Sequence, residues 1–319
     1  MPPVELSSLT RRHAILAAGA SLALAACGRG KGSAQVLRVG SQKGGTKALV
    51  LASGVLQGVP YRIEWSDFPA AQNLLEAIAS GAVDVGLAGD APFQFAYQAG
   101  SPVRAVAAMA ATRDTPEGAL AIVVPARSPA HGIADLAGKR IATTRGSIGH
   151  FLILRALQEA GLASDAARIV FLTPSDSKAA LQTGAIDAWA TWAPFTVAAL
   201  ADGARIIVDG RRYSSGYGFD VANTGAITDK RTQLVDFLGR EARALDWANG
   251  HRADYAKVLA QETGLPMAIA LATVERNTRQ RVALDATAIG AQQVVLDTFR
   301  KAGDVKAPLP LDKAFVALG

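Results

Sequence analysis

The sequence predicts an α/β fold built as two lobes, and three observations support this prediction. Patterns typical of strands and helices alternate from Val36 onward, the same order of elements occurs twice, and two further strand-like runs stand where the chain would cross between the copies. The chain has 319 residues, of which 50% are hydrophobic, and this is enough to bury a sizeable core. We therefore expect two α/β lobes with mostly parallel sheets.

The first copy reads as three strands separated by two helices. The predicted strands are 36–40, 61–65 and 83–87, and the predicted helices are 47–55 and 71–80. In the second of these helices Leu74, Leu75 and Ile78 fall on one face, which favours packing against a sheet. The first copy is thus expected to form a layer of strands covered by helices.

The second copy repeats that order. Its predicted strands are 140–143, 168–172 and 186–189, and its predicted turn-helix and helix segments are 146–160 and 178–182. The stretch SGAVDVGLAGDAPF (80–93) aligns with TGAIDAWATWAPF (183–195) when one gap is allowed, which indicates one supersecondary plan used twice. Asp84 and Asp187 occupy equivalent positions and are predicted to be structural, whereas Asp90 has no counterpart and is the better candidate for a site carboxylate.

Two strand-like runs between and after the copies predict a hinge. Segment 119–124 is expected to carry the chain from lobe 1 to lobe 2, and segment 218–222 to carry it back. Helices predicted at 233–249, 255–261 and 285–301 then complete the first lobe. The predicted boundaries are 36–120 plus 222–319 for lobe 1 and 121–221 for lobe 2.

The N-terminal stretch is predicted to be an export signal covering residues 1–26. Arg11 and Arg12 precede an apolar run, 14–26, that is too short to span a bilayer. The run ends in Leu-Ala-Ala-Cys, which resembles a bacterial lipobox, and Cys27 is the only cysteine, so it cannot form a disulfide within the chain. We expect a periplasmic or envelope protein anchored through a lipid on Cys27 and a flexible tether at 27–35; an ordinary signal peptide is the alternative.

Charge and composition exclude several classes of ligand. The formal net charge is +6, but the charges alternate in sign and no basic run carries interleaved aromatic residues, so nucleic acid is a poor candidate partner. No two His or Cys residues stand at metal-ligand spacing, and neither a metal nor a cofactor is expected. The modest positive excess favours a small anionic ligand.

Two Gly-containing loops that follow strands are the predicted anion sites. One contains Gln42 and Lys43 and runs to Thr46; the other contains Gly146 and Ser147. Backbone N–H groups at a helix start bind oxyanions, and the Ser147 hydroxyl would add a donor, although capping alone would also explain that residue. Of Trp189 and Trp192, at least one is expected to reach the cleft between the lobes.

The chain resembles the periplasmic substrate-binding proteins of ABC importers for aliphatic sulfonates, a group that includes taurine, nitrate and thiamine-precursor binders. The matching segments are Gln42-Lys43, Leu74-Leu75-Glu76-Ala77, Ala88-Gly89-Asp90-Ala91-Pro92, Asp135-Leu136-Ala137-Gly138-Lys139-Arg140-Ile141-Ala142, Arg145-Gly146-Ser147-Ile148-Gly149-His150, Ile186-Asp187-Ala188-Trp189 and Trp192-Ala193-Pro194-Phe195. The resemblance implies a type II periplasmic-binding-protein clamshell joined by two crossover strands, a monomer that captures a sulfonate and delivers it to the transmembrane permease.

The resemblance also implies positions for the ligand. The sulfonate end would meet Gln42, Gly89, Asp90, Ser147 and the amides near Gly146 and His150. The family often has Trp-Asp-Pro-Tyr where this chain has Trp192-Ala193-Pro194-Phe195, and losing the carboxylate favours an uncharged or aromatic tail over the ammonium of taurine. A Ser147, His150 and Asp187 triad is the enzyme alternative, but the Gly-x-Ser-x-Gly elbow is missing and we expect no enzyme.

Overall fold

The computed structural model describes residues 36–43, 45–112 and 115–318. The predicted signal sequence, the tether, Cys27 and Gly44 lie outside the described residues, and what the sequence predicts for them stays a prediction. In the described ranges no helix combines the length and the apolar character that crossing a bilayer requires.

Strands and helices alternate along most of the chain. The strands are β1 (Val36–Gln42), β2 (Arg62–Phe68), β3 (Val85–Gly89), β4 (Val103–Ala111), β5 (Leu120–Val124), β6 (Arg140–Thr143), β7 (Arg168–Phe171), β8 (Ala188–Trp192), β9 (Arg205–Asp209), β10 (Tyr217–Asn223) and β11 (Arg279–Val282). The helices are α1 (Thr46–Ser53), α2 (Ala71–Ala79), α3 (Asp90–Gln98), α4 (Ile148–Glu159), α5 (Pro174–Thr183), α6 (Phe195–Ala201), α7 (Thr224–Asp229), α8 (Arg231–Gly250), α9 (Arg252–Thr263), α10 (Met267–Arg276) and α11 (Ala286–Lys301).

The strands form two sheets, each with helices packed against it. The first has the order β11-β4-β10-β3-β1-β2 and the second β7-β6-β8-β5-β9. Both sheets are mixed, so the expectation of mostly parallel sheets was wrong: β10 runs antiparallel to β3 and β4, and β5 runs antiparallel to β8 and β9. These two strands, β5 and β10, are the first ones after the chain crosses between the sheets, and each runs antiparallel to both of its neighbours.

The two strands predicted to carry the chain across do not span both sheets. β5 lies wholly in the second sheet and β10 wholly in the first, so the crossings fall between β4 and β5 and between β9 and β10. A buried apolar cluster also joins the lobes: Ala91 of α3 meets Phe151 and Leu154 of α4 and Phe299 of α11. The lobes are therefore held by both crossings and by this cluster.

The predicted repeat reappears in hydrogen bonding. The Asp84 carboxylate accepts the backbone N–H of Arg38 at 2.7 Å, and the Asp187 carboxylate accepts the backbone N–H of Arg140 at 2.8 Å. In both pairs the Arg side chain also bonds the carboxylate. The structural role predicted for the two Asp residues is confirmed, since each fastens the turn before one strand to the start of the next.

Candidate ligand-binding cleft

A cavity of about 430 Å³ lies between the two sheets. The first lobe contributes the ends of β1, β3 and β4 and the starts of β10 and β11, which meet at one edge of the sheet. Helix starts from both lobes and the two crossing segments complete the walls. Among the lining residues are Gln42, Lys43, Thr46, Ala71, Gln72, Gly89, Asp90, Ser147, Ile148, Trp192, Ala193, Ser215, Gly218 and Arg279.

Helix α1 begins at this edge and keeps part of its N-terminus free. Ser41 is buried and its hydroxyl accepts the N–H of Lys47 at 3.2 Å. The Thr46 hydroxyl donates to Glu241 of α8 at 3.1 Å, which attaches the start of α1 to α8. The first N–H groups of a helix have no partner within the helix, so the amides of Thr46 and Ala48 can still bind an acceptor.

Helix α2 begins without any side-chain cap. Its N-cap residue, Ala70, has no acceptor to offer, and the N–H groups of Ala71, Gln72 and Asn73 precede the first bond within the helix. Both amide atoms of the Gln72 side chain are buried and have no hydrogen-bond partner, although the residue lines the cleft. Such groups are costly to leave unpaired, and together with the free N–H groups of α2 they offer several donors at one corner of the cleft.

Helix α3 has the carboxyl group of its own first residue, Asp90, at its N-terminus. The Asp90 carboxylate is 1% exposed, accepts the N–H of Ala91 at 2.7 Å and accepts the hydroxyl of Ser215; Pro92 has no N–H to offer. Burial raises the pKa of Asp90, and these hydrogen bonds oppose the rise. Asp90 and Gly89 line the cleft as predicted, but this helix start holds a carboxylate in place of a ligand.

Helix α4 faces α1 and α2 from the second lobe, and Ser147 is its cap. The Ser147 hydroxyl accepts the N–H of His150 at 3.1 Å. It also lies 3.1 Å from the Thr143 hydroxyl, whose own proton goes to the carbonyl of Ala190, so Ser147 donates to Thr143. The hydroxyl already donates and accepts inside the lobe, and the donor of this helix start that lines the cleft is the amide of Ile148.

Gly149 sets how closely α4 approaches the second sheet. A Cβ atom there would lie 2.5 Å from the Ala190 carbonyl oxygen and 2.5 Å from the Thr143 hydroxyl. We expect Gly149→Ala to lower the free energy of unfolding by about 3 kcal/mol in urea denaturation, because the helix start must move away from β8. Gly239→Ala is the matched control: this exposed glycine of α8 has open space around it, and alanine should raise the free energy of unfolding by about 0.5–1 kcal/mol. Equal effects of the two changes would contradict the packing described.

The structure places His150 and Gly146 outside the wall of the cleft. The ring Nδ1 of His150 accepts the N–H of Gly146 at 3.2 Å, and the ring packs against Phe171 and Phe299. Burial first, and then the charge of Arg145, lower the pKa of His150 to about 4. The neutral ring is thus an acceptor in the contact between the lobes and has no donor directed at the cleft.

The two tryptophans lie on opposite faces of β8, since side chains alternate along a strand and the two residues are three positions apart. Trp189 is 2% exposed, packs with Val123 and Leu181, and borders a separate cavity of about 320 Å³. Trp192 and Ala193 line the cleft. The expectation that at least one tryptophan reaches the cleft is met by Trp192, and Trp189 is a core residue.

Arg279, like Gln72, lines the cleft and was not predicted from the sequence. Its guanidinium extends over Gly218, where the position of a Cβ atom would be 2.9 Å from Nη1. Nη1 is buried and has no hydrogen-bond partner, and burial lowers the pKa of Arg279. The cleft wall therefore contains a guanidinium with an unused donor.

The alternative catalytic triad is not assembled. Ser147 meets the backbone of His150 and not its ring, while Asp187 bonds Arg140 at the other end of the second sheet. The described residues also contain no group of three side chains able to hold a metal ion.

Comparison with known proteins identifies relatives over most of the chain. The profile of the NMT1/THI5-like family matches residues 67–232. An aliphatic sulfonates-binding protein of Escherichia coli strain K12 is 32% identical over 272 residues, which cover 84% of each chain. The alkanesulfonate-binding protein SsuA of Xanthomonas axonopodis pv. citri, solved with MOPS, is 34% identical and superposes with a TM-score of 0.81 over 90% of this chain and 100% of its own. The periplasmic aliphatic sulphonate binding protein SsuA of Escherichia coli is 30% identical, with a TM-score of 0.76 over 89% and 92%.

Proposed function

The chain belongs to the NMT1/THI5-like family and, within it, to the aliphatic sulfonate-binding proteins of ABC importers, and we propose that it captures an aliphatic sulfonate outside the cytoplasm and delivers it to a membrane permease. The relatives at 30% identity or more are named as binding proteins, which supports binding in place of catalysis. A lipid on Cys27 and a monomeric state are parts of this proposal.

The observation that carries the proposal is the group of hydrogen-bond donors at the start of α2. The buried Gln72 amide lacks partners, and the free N–H groups of α1 and α2 meet those of α4 across the cleft. A sulfonate has three equivalent oxygens that spread one negative charge, so it can accept from several amides at once. Lys43, exposed at the end of β1, adds a positive charge at the cleft entrance.

Closure follows from this division of donors between lobes. The sulfonate binds the first lobe through α1, α2 and Gln72, and the second lobe reaches it through the amide of Ile148. The contacts with α4 exist only in the closed form, so the ligand favours closure by the free energy of those contacts. Trp192, Ile148 and Leu120 offer apolar surface to the aliphatic tail.

We expect Gln72→Ala to weaken binding of 1-propanesulfonate by about 10- to 100-fold, which is the loss of a hydrogen bond to a charged group. Titration calorimetry measures the change. Asn73→Ala is the control, since Asn73 is exposed in the same turn of α2, and its affinity should stay within about twofold of the parent. If Gln72→Ala binds as tightly as Asn73→Ala, the sulfonate does not occupy this corner.

A further inference from the structure

The cleft holds a second polar feature at a distance from the sulfonate corner. Arg279 starts β11, and its guanidinium reaches across β4 to lie over Gly218 of β10. In the sheet order, β10 is separated from β1, whose end precedes α1, by β3 alone. Two strand spacings of about 4.8 Å place the guanidinium about 10 Å from the end of β1.

No residue around Arg279 accepts a hydrogen bond from its Nη1. The carboxylate that acts on its charge is Asp90, which accepts hydrogen bonds from Ala91 and from Ser215 and forms no hydrogen bond with Arg279. Arg279 forms no ion pair in the described part of the chain, and Nη1 is buried without a hydrogen bond. A guanidinium has five fixed donors and no acceptor, so only an acceptor brought by another molecule can complete this site.

The strands beside the guanidinium carry glycine residues at this edge of the sheet, so no side chain covers it there. Gly216, Gly218 and Gly89 stand side by side at the starts and ends of β10 and β3 and line the cavity together with Arg279. A side chain at Gly218 would collide with Nη1, whose closest approach there is 2.9 Å. The guanidinium thus lies directly over the backbone of Gly218 at the start of β10.

We propose that Arg279 selects the tail of the ligand, so that the preferred substrates are short sulfonates that carry a second acceptor group, a carboxylate above all. The proposal rests on the proposed function, since it assumes that the sulfonate lies at the N-terminus of α1, beside the end of β1. A chain of two or three carbons spans the roughly 10 Å from the end of β1 to the guanidinium once hydrogen-bond lengths of about 2.9 Å at both ends are subtracted. An ammonium tail would meet the Arg279 charge and be disfavoured.

The test is calorimetric titration with three probes of one chain length: 1-propanesulfonate, 3-sulfopropanoate and 3-aminopropane-1-sulfonate. The parent protein should bind 3-sulfopropanoate about tenfold or more tightly than 1-propanesulfonate, and 3-aminopropane-1-sulfonate most weakly. In Arg279→Gln the preference between the first two should fall to about onefold while 1-propanesulfonate binding persists. Arg243→Gln, which removes an exposed positive charge of the same lobe, should keep the parent preference.

The outcomes distinguish a failure of the role proposed for Arg279 from a failure of the proposed function. Binding of 1-propanesulfonate with no preference for the carboxylate probe in the parent overturns the role of Arg279 and leaves the proposed function standing. A preference that survives in Arg279→Gln also overturns it. Failure of all three probes in the parent overturns the proposed function itself.

Discussion

Arg281→Met is expected to lower the free energy of unfolding by about 3–5 kcal/mol, because it leaves two buried carboxylates without their cation. Arg281 bonds Asp220 at 2.7 Å and Glu241 at 2.9 Å, and both acids are 1% exposed. Burial and the neighbouring Asp220 charge raise the pKa of Glu241, which shows how strongly this site resists a further negative charge. Urea denaturation at neutral pH measures the loss.

Two control variants test whether the loss of stability comes from the unpaired buried charges. Arg300→Met removes an exposed ion pair with Asp297 and should change the free energy of unfolding by less than about 1 kcal/mol. Adding Asp220→Asn to Arg281→Met should restore part of the lost stability, since it removes one unpaired charge. A double variant no more stable than Arg281→Met would contradict the electrostatic explanation.

The same cluster reaches the cleft. Glu241 accepts the hydroxyl of Thr46, the first residue of α1, so loss of Arg281 disturbs the support of a helix start that faces the ligand. Weaker sulfonate binding should therefore accompany the lower stability of Arg281→Met.

Lowering the pH is expected to destabilise the protein through His150. The unfolded ring has a pKa near 6.5, whereas the folded ring has a pKa of about 4, since burial outweighs the Asp304 carboxylate 3.7 Å away. Between these two values the unfolded state binds the proton and the folded state does not, so stability falls as the pH falls through that window. Each pH unit is worth about 1.4 kcal/mol, and the full window about 3 kcal/mol.

The groups that face His150 shape this response and define its control. Arg145 repels a protonated ring, while burial raises the pKa of Asp304, so proton uptake by this aspartate in the folded state opposes part of the loss. His150→Asn keeps an acceptor near the Gly146 amide but cannot titrate, and its stability should fall less between about pH 6.5 and about pH 4.5. His131→Asn, at an exposed position, should follow the parent profile. Parallel profiles for the parent and His150→Asn would contradict the account.

Local pattern was sufficient for much of the fold. The alternation of strands and helices, the internal repeat and the roles of Asp84 and Asp187 follow from spacing and from side chains that bond within one supersecondary unit. Strand β4 was missed because Val103–Ala111 is rich in alanine and shows little contrast between its faces, although it lies inside the first sheet. Its identity depends on β10 and β11, which are distant in sequence.

Most of the predicted site residues line the cleft, and the structure adds Gln72 and Arg279 to them. The behaviour of strand ends pointed to Gln42, Lys43, Ser147 and Trp192, and the family resemblance pointed to Gly89 and Asp90; all six residues line the cleft. Gln72 could have been found, because helix α2 follows Pro69 and Ala70 with no capping residue at its start. Arg279 had no local signal, since its position over Gly218 arises from pairing across the sheet, and His150 became buried through Phe299 and Asp304, far along the chain.

The central claim is that the cleft binds an aliphatic sulfonate, and calorimetric titration of the purified protein with 1-propanesulfonate tests it most directly. Nitrate, sulfate and a thiamine-precursor pyrimidine, run in parallel and in competition, separate the alternative ligands of this family group. The account predicts saturable one-to-one binding of the sulfonate that nitrate and the pyrimidine do not displace. No binding of any sulfonate, with tight binding of nitrate or the pyrimidine, would contradict it.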